Sequence, residues 1–156
     1  MQYWLLKTEP NTYSWDDLLN EKNQTTTWEG VRNYQARNFM RDQMKQGDHA
    51  VIYHSVVKPQ VIMGIVEIIR AAYIDYFAFD PKHSYYDPKS NRDDPKWVMV
   101  DVKAKEAFEQ PISRDILKSI PELQNMVLFK NSRLSVQPLQ ASEWQIICSL
   151  SPVNAI

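Results

Sequence analysis

Cysteine, glycine and histidine are all scarce in this chain of 156 residues, which holds one cysteine, three glycines and three histidines. The single cysteine, Cys148, excludes an internal disulfide and any cysteine-based zinc cluster, and it fits a reducing compartment. The glycines, Gly30, Gly47 and Gly64, cannot supply a phosphate-binding P-loop or a dinucleotide fingerprint, because those motifs need glycines at close, fixed spacing. Nucleotide-triphosphate and NAD chemistry by the usual folds is therefore excluded.

Long apolar runs are also absent. The longest, from Val61 to Val66, ends at Glu67 and is far shorter than a membrane span. The N-terminus begins directly with a strand-like apolar segment rather than with a basic region followed by an apolar signal segment. We therefore expect a cytoplasmic protein that has no membrane partner.

Charge of one sign does not dominate, because the formal net charge is −1. A protein that coats nucleic acid by bulk electrostatics is strongly basic instead. Any nucleic-acid site on this chain must therefore be local.

Catalytic constellations are missing as well. His49, His54 and His83 are dispersed, and none has the spacing of a His-Glu-x-x-His or similar site, so we expect no metal and no cofactor. His54 and Ser55 resemble a base and a nucleophile, but consecutive residues of a strand point to opposite faces. The sequence offers no set of acid, base and nucleophile and predicts a protein that is not an enzyme.

The length predicts one domain over residues 1 to 156, expected to be a monomer, with 151 to 156 as a loose tail. Apolar and alternating patterns predict strands at 2–7, 48–55, 61–73 and 97–105, of which 48–55 is apolar on both faces like an interior strand. Gly64 indicates a bulge or barrel bend. Together with helices between and after the strands, this favours an α+β fold: a mixed, mainly antiparallel β-barrel flanked by helices.

The densest run of recognition chemistry is 27 to 41, which combines a Trp, a Gly, two Asn and three Arg. From Asn33 the pattern predicts a helix that ends at Gly47. Ala36, Phe39, Met40 and Met44 share one side of this helix, and Tyr34, Arg37, Arg41 and Lys45 share another. The second side is either a solvated face or a surface on which Arg37, Arg41 and Lys45 hold phosphates.

Binding chemistry for a nucleic-acid base is present. A base removed from its stack needs flat apolar faces, polar partners for its edge and cations for the flanking phosphates. These groups are available in Lys7, Trp28, Arg32, Asn33, Tyr53, Ser55, Tyr86 and Arg133. Each also has a structural explanation, as a core aromatic or a surface ion pair, so only convergence in space favours a site.

The segment from 75 to 95 is long, aromatic and punctuated by Asp-Pro pairs. A loop of this kind either contributes to function or covers one end of the core.

Several motifs resemble one known family. They are Lys7-Thr8-Glu9-Pro10, Trp28-Glu-Gly-Val-Arg-Asn-Tyr-Gln-Ala-Arg-Asn38, Tyr53-His54-Ser55, Tyr86-Asp87-Pro88-Lys89-Ser90, Pro95-Lys96-Trp97 with Val100-Asp101-Val102, and Arg133-Leu134-Ser135-Val136. They look like the EVE domain family, and the resemblance covers residues 2 to about 150. It implies a PUA-like barrel, related to YTH and ASCH domains, that binds a chemically modified base in DNA or RNA.

The resemblance also implies the residues of the modified-base pocket. These are Lys7, Thr8, Trp28, Gly30, Val31, Arg32, Asn33, Tyr53, Ser55, Tyr86, Arg133, Leu134 and Ser135. Thr8 stands where many members have Ser, which keeps the hydroxyl. The Gly-x-Lys-x-x-Glu-x-Arg pattern of the ASCH enzymes has no counterpart here, which favours a non-enzymatic binding module.

Two alternatives remain open at this point. One is an enzyme that acts on a modified nucleoside or base in the same pocket. The other is an adaptor that binds protein through the aromatic segment from 75 to 95.

Overall fold

The computed structural model describes residues 1 to 156, and a seven-stranded sheet organises the chain. Its strands are β1 (Tyr3–Thr8), β2 (Thr25–Trp28), β3 (His49–His54), β4 (Val61–Ile74), β5 (Val98–Ser113), β6 (Val136–Leu139) and β7 (Val153–Ala155). The helices are α1 (Trp15–Leu19), α2 (Tyr34–Asp42), α3 (Arg114–Ser119), α4 (Val127–Lys130) and α5 (Ala141–Ser149). None of these helices combines the length and the apolar character that a membrane-spanning helix requires.

The strand order is β2-β5-β4-β3-β1-β6, and β7 pairs with β5. β1 runs parallel to β3, whereas every other pair is antiparallel. The predicted mixed, mainly antiparallel α+β class is confirmed. β3 lies in the interior of the sheet and is buried on both faces, as its apolar pattern predicts.

The predicted barrel is not confirmed, because the sheet is open. β2 and β6 end the strand order and do not pair with each other. The irregularity expected at Gly64 is present, since the register between β4 and β5 shifts between Ile62 and Gly64. A Cβ at Gly64 would lie 2.3 Å from the Trp15 ring, so glycine lets α1 pack directly on the bent strand.

Two apolar clusters lie on the two faces of the sheet. Because strand side chains alternate, Leu6 belongs to a cluster of 18 buried residues with α1 and α2, and Leu5 belongs to one of 14 with α3 and α5. Burial of each such leucine contributes about 1.5–3 kcal/mol. The buried side of α2 consists of Ala36, Met40 and, beyond its end, Met44, which confirms the predicted packing side.

The predicted end of this helix at Gly47 is wrong, because α2 ends at Asp42. The buried carboxylate of Asp48 draws the following segment away from the helix axis. It accepts hydrogen bonds from the backbone N–H of Lys45 at 2.9 Å, from the backbone N–H of Gln2 at 3.0 Å and from Trp4 Nε1 at 3.0 Å. These bonds satisfy a buried charge, and they leave Lys45 outside the helix.

The prediction that residues 151 to 156 form a loose tail is also wrong. β7 pairs with β5 through Glu106, Ala107 and Phe108, on the part of β5 that lies beyond β2. An unpaired strand edge offers a row of free N–H and C=O groups, and the C-terminal segment satisfies them. Ser151 strengthens the attachment, since its Oγ accepts a hydrogen bond from the backbone N–H of Gln110 at 2.9 Å.

Candidate functional site

One large cavity of about 790 Å³ opens on the protein surface. Its lining includes the β2 residues Thr26 to Trp28 from one end of the strand order, and Lys7, Thr8 and Ser135 from the region of β1 and β6 at the other. The cavity therefore lies between the two ends of the sheet that do not pair. Its volume lies within the range of about 300–1,000 Å³ that is usual for ligand sites.

Eight of the thirteen predicted pocket residues line this cavity. They are Lys7, Thr8, Trp28, Gly30, Val31, Ser55, Arg133 and Ser135. The other five, Arg32, Asn33, Tyr53, Tyr86 and Leu134, do not line it. The structure thus brings segments from four distant parts of the chain together.

Four cavity residues, Trp28, Glu29, Gly30 and Tyr85, form what we call the β2 side. Trp28 is 8% exposed, and its ring meets Tyr13 edge-on at a centroid distance of 6.3 Å. Gly30 has φ +85°, and a Cβ there would lie 2.5 Å from the Tyr85 ring. Glycine is required at this position both by its backbone conformation and by the close approach of the tyrosine.

An ion pair between the buried Asp75 carboxylate and the partly exposed Arg32 holds Tyr85 on this turn. Asp75 is fully buried, and its Oδ2 accepts hydrogen bonds from the Gly30 N–H at 3.0 Å and from Arg32 Nη1 at 2.9 Å. Arg32 Nη2 also donates to the backbone oxygen of Tyr85 at 2.7 Å. Arg32 therefore clamps the 75–95 segment to the turn after β2 instead of entering the cavity. Part of this aromatic loop, at Tyr85, lines the cavity.

The other predicted residues outside the cavity have structural contacts. Asn33 caps α2, where its Oδ1 accepts a hydrogen bond from the Ala36 N–H at 2.9 Å. Tyr53 is buried and donates to Gln60 Oε1 at 2.7 Å, and Leu134 is part of the core. Tyr86 is 39% exposed and lies outside the cavity, next to the residue that lines it.

Three cations of the cavity, Lys7, Arg114 and Arg133, form what we call the basic side. None belongs to an ion pair, because the ion pairs of the structure join Arg32 to Asp75, Arg41 to Asp42 and His49 to Glu67. Burial lowers the pKa of Lys7, and the positive charge of Arg114 lowers it further. A group of cations without a carboxylate partner favours the binding of an anion.

The contacts of Lys7 and Arg114 fix where their charges lie. Lys7 Nζ donates to the backbone oxygen of Ser132 and lies 5.7 Å from the centroid of the Tyr53 ring. The Arg114 guanidinium lies 5.2 Å from the centroid of the Phe129 ring. The charge of Arg114 acts on Lys7, and Ser132, which accepts the hydrogen bond of Lys7, precedes Arg133, so the segments that carry the three cations meet at one part of the cavity.

Arg37, Arg41 and Lys45, the residues expected to hold phosphates, do not line the cavity. Arg37 donates to Asn38 Oδ1 at 2.8 Å and to the backbone oxygen of Lys96 at 3.0 Å. Arg41 pairs with Asp42 at 2.7 Å. The two guanidiniums thus have partners within the chain, and a role of the three residues at phosphate stays a prediction.

His54 and Ser55 do not form a base and nucleophile pair. His54 Nε2 accepts a hydrogen bond from the Trp15 N–H at 3.0 Å, and burial lowers the pKa of its imidazole. Ser55 lines the cavity, and its Oγ donates to the backbone oxygen of Thr8 at 3.3 Å. The two side chains have different partners, as the alternation of a strand predicts. No group of three or more His, Cys, Asp or Glu is placed to hold a metal ion.

Fourteen of the 22 residues that line the cavity are not among the predicted pocket residues, and Glu29, Tyr85 and Arg114 are three of them. Glu29 lies inside the run from 27 to 41, but nothing in that motif distinguishes it as a binding residue. Tyr85 and Tyr86 are consecutive, and no pattern in an irregular loop distinguishes them. Arg114 follows a long strand whose far end meets the cavity, which is a property of the fold rather than of a motif.

Comparison with known proteins relates the chain to one family. A family model of the EVE domain matches residues 2–150. Thymocyte nuclear protein 1 of Danio rerio is 43% identical over 175 residues, covering 98% of this chain and 73% of that protein. A hypothetical protein from Leishmania major has a similar structure, with a TM-score of 0.90 and 46% identity over 96% of this chain and 93% of that one.

A third relative has been crystallised with a ligand. The human THYN1 protein, in complex with DNA that contains 5-methylcytosine, superimposes with a TM-score of 0.92 and 41% identity. The match covers 96% of this chain and 97% of that chain.

Proposed function

Because the chain belongs to the EVE domain family, we propose that it is a non-enzymatic module that binds DNA and takes a 5-methylcytosine base into the cavity described above. The observation that carries the proposal is the union of aromatic rings and unpaired cations in one cavity. The human relative's complex with 5-methylcytosine DNA supports this choice of ligand.

The β2 side is the part of the cavity suited to a base. Trp28 and Tyr85 offer ring surfaces, and base–aromatic stacking is worth about 1–3 kcal/mol per base. Hydroxyl groups of Thr8, Ser55 and Ser135 lie in the same cavity and can bond to polar atoms of the base. A base reaches such a cavity only from a single strand or after it leaves the duplex stack.

The methyl group itself supports only modest selectivity. Burial of one methyl contributes about 0.8 kcal/mol by area and about 1–3 kcal/mol in a tight pocket. Val31 and Leu128 supply apolar contacts in the cavity for such a group. Polar contacts to the edge of the base must therefore provide much of the discrimination between bases.

The basic side is suited to the phosphates that flank the base. Lys7, Arg114 and Arg133 have no carboxylate partner to lose when a phosphate arrives. Arginine binds phosphate through two parallel hydrogen bonds, which adds geometric specificity. Arg37, Arg41 and Lys45 are proposed to contact more distant phosphates only.

Equilibrium binding to matched oligonucleotides tests the proposal. Single-stranded and duplex DNA and RNA, each with cytosine, 5-methylcytosine or N6-methyladenine at one position, would be titrated at one low salt concentration. We expect about tenfold tighter binding to 5-methylcytosine DNA than to unmodified DNA. Equal affinity for all of them would overturn base recognition, and a preference confined to RNA would overturn the choice of DNA.

The same samples test the non-enzymatic part of the proposal. After prolonged incubation, the nucleosides of the bound oligonucleotide are separated and compared with those of an untreated sample. We expect an unchanged 5-methylcytosine content. Conversion of the base that disappears in Lys7→Ala would show that the cavity is an active site.

A further inference from the structure

The cavity holds a carboxylate that neither stacking nor phosphate binding uses. Glu29 lines it between Trp28 and Gly30. Glu29 Oε2 accepts a hydrogen bond from Thr27 Oγ1 at 2.6 Å, which orients the carboxylate. No cation pairs with this side chain, since the ion pairs of the structure lie elsewhere. Oε1 is therefore left to accept a hydrogen bond from a ligand.

This carboxylate lies beside the aromatic rings of the β2 side. Burial raises the pKa of the Tyr85 hydroxyl, and the negative charges of Glu29 and Glu9 raise it further, so the Glu29 carboxylate lies within electrostatic reach of that ring. Trp28 is the preceding residue. A base that stacks on either ring presents its polar edge to the surrounding side chains. One of these side chains is Glu29, which is half-buried and can accept a hydrogen bond.

Bases differ in what they present to such an acceptor. Cytosine and 5-methylcytosine carry an amino group at position 4, whereas thymine carries a carbonyl oxygen there and has the same 5-methyl group. A carboxylate accepts a hydrogen bond from the amino group and repels the carbonyl oxygen. The methyl group cannot supply this discrimination because both bases have it.

We infer that Glu29 determines specificity for a cytosine-type base, because its Oε1 accepts a hydrogen bond from the 4-amino group. This inference rests on the proposed function. Thr27 is a positioning residue, because its hydroxyl occupies Oε2 and leaves Oε1 for the base. Recognition by the cavity then covers both the methyl group and the base that carries it.

The test is a ratio of affinities for two DNA oligonucleotides that carry either 5-methylcytosine or thymine at one position. Fluorescence anisotropy at one salt concentration gives this ratio for the wild type, Glu29→Gln and Glu9→Gln. We expect the wild type to prefer 5-methylcytosine by about tenfold or more. Because the glutamine amide both donates and accepts, Glu29→Gln is expected to bring the ratio close to one.

Glu9→Gln is the matched control, because it removes the same charge from the same cavity at an exposed side chain that lies outside the β2 side. It is expected to keep the wild-type ratio. Loss of either negative charge strengthens DNA binding in general, and the ratio cancels that gain. Thr27→Val, which keeps the branched shape but removes the hydroxyl, is expected to lower the ratio in part.

The outcomes separate this inference from the proposed function. Equal wild-type affinity for 5-methylcytosine and cytosine would overturn the proposed function. A wild type that prefers 5-methylcytosine to cytosine, with a preference over thymine that survives in Glu29→Gln, would overturn the role of Glu29 alone. Unfolding curves verify each variant, and Glu29→Asp, which withdraws the carboxylate by one methylene, replaces Glu29→Gln if that variant does not fold.

Discussion

The two sides of the cavity differ both in composition and in how they are held. The β2 side consists of two rings, a glycine and a carboxylate on a turn that the buried Asp75–Arg32 pair clamps in place. The basic side consists of three cations from three separate segments, none of them in an ion pair. A rigid, shaped surface discriminates between ligands, whereas unpaired cations attract any phosphate. Under the proposed function, the β2 side therefore provides selectivity for the base and the basic side provides affinity for phosphate.

The largest effect is expected from removing the principal ring of the β2 side. Trp28→Ala deletes a stacking surface and is expected to weaken binding of 5-methylcytosine DNA by about 1–3 kcal/mol. Because Trp28 is 8% exposed, the variant is also expected to lose about 3–5 kcal/mol of unfolding free energy. Titration calorimetry and urea unfolding measure the two effects separately.

Trp144→Ala is the control for this loss of stability. Trp144 is 9% exposed and stacks on Tyr3 at 4.6 Å, and it does not line the cavity. It should lose similar stability and keep its affinity for DNA. If a folded Trp28→Ala protein binds as tightly as the wild type, Trp28 belongs to the core only and does not stack on the base.

A smaller effect is expected from disturbing the β2 side without removing a ring. Gly30→Ala and Gly47→Ala both place a side chain at positive φ, +85° and +94°, and this backbone strain alone is expected to cost about 1–2 kcal/mol of unfolding free energy at each position. Only at Gly30 does the new Cβ meet the Tyr85 ring, because nothing lies within 4 Å at Gly47. We expect Gly30→Ala alone to lose the preference for 5-methylcytosine over cytosine. Equal preferences in both variants would mean that the position of Tyr85 is irrelevant to recognition.

Removal of cations from the basic side is expected to change the salt dependence of DNA binding and to leave the selectivity for the base unchanged. Each phosphate contact contributes about 0.9 to the slope of log affinity against log salt on duplex DNA and about 0.7 on a single strand. Replacing Arg114 and Arg133 by Gln is therefore expected to lower the slope by about 1.4–1.8, with an unchanged 5-methylcytosine preference. The matched pair Arg37→Gln and Arg41→Gln is expected to lower it less, because those guanidiniums have partners within the chain. The reverse ranking would place the phosphates on α2.

The smallest effect is expected from pH. The pKa of Lys7 is lowered from 10.5 by burial and by Arg114, so Lys7 loses its proton, and its attraction for phosphate, at a lower pH than an ordinary lysine. DNA affinity is expected to fall as the pH rises toward this lowered pKa. Lys7→Arg keeps the charge at all these pH values and is expected to flatten the profile. Identical profiles for the two proteins would show that Lys7 does not contact the DNA.

The sequence predicted most of the sheet, because its signals are local. Each signal lies within a single segment. The doubly apolar pattern of 48–55 corresponds to β3, and the apolar run that contains Gly64 corresponds to the irregular strand β4. The helix end and the tail were mispredicted because both depend on contacts between distant parts of the chain. Asp48, which accepts a hydrogen bond from the N–H of Lys45, is also bonded to the Trp4 ring, and Val153–Ala155 pair with the free edge of β5.

The site was predicted less completely for the same reason. Trp28, Gly30 and Arg32 belong to one motif. The motif alone does not predict that the Arg32 side chain binds Asp75 while Trp28 lines the cavity. Arg114 joins the site only because β5 delivers it there. Residue types indicate the chemistry of a site, whereas the fold decides which residues perform it.

The most direct test of the division between the two sides is the ratio of affinities for 5-methylcytosine and cytosine DNA, measured across a series of salt concentrations. If the β2 side reads the base and the basic side holds phosphate, the absolute affinities fall steeply with salt while the ratio stays constant. A ratio that falls together with the affinities would contradict this division, because it would show that the preference itself arises from the phosphate contacts.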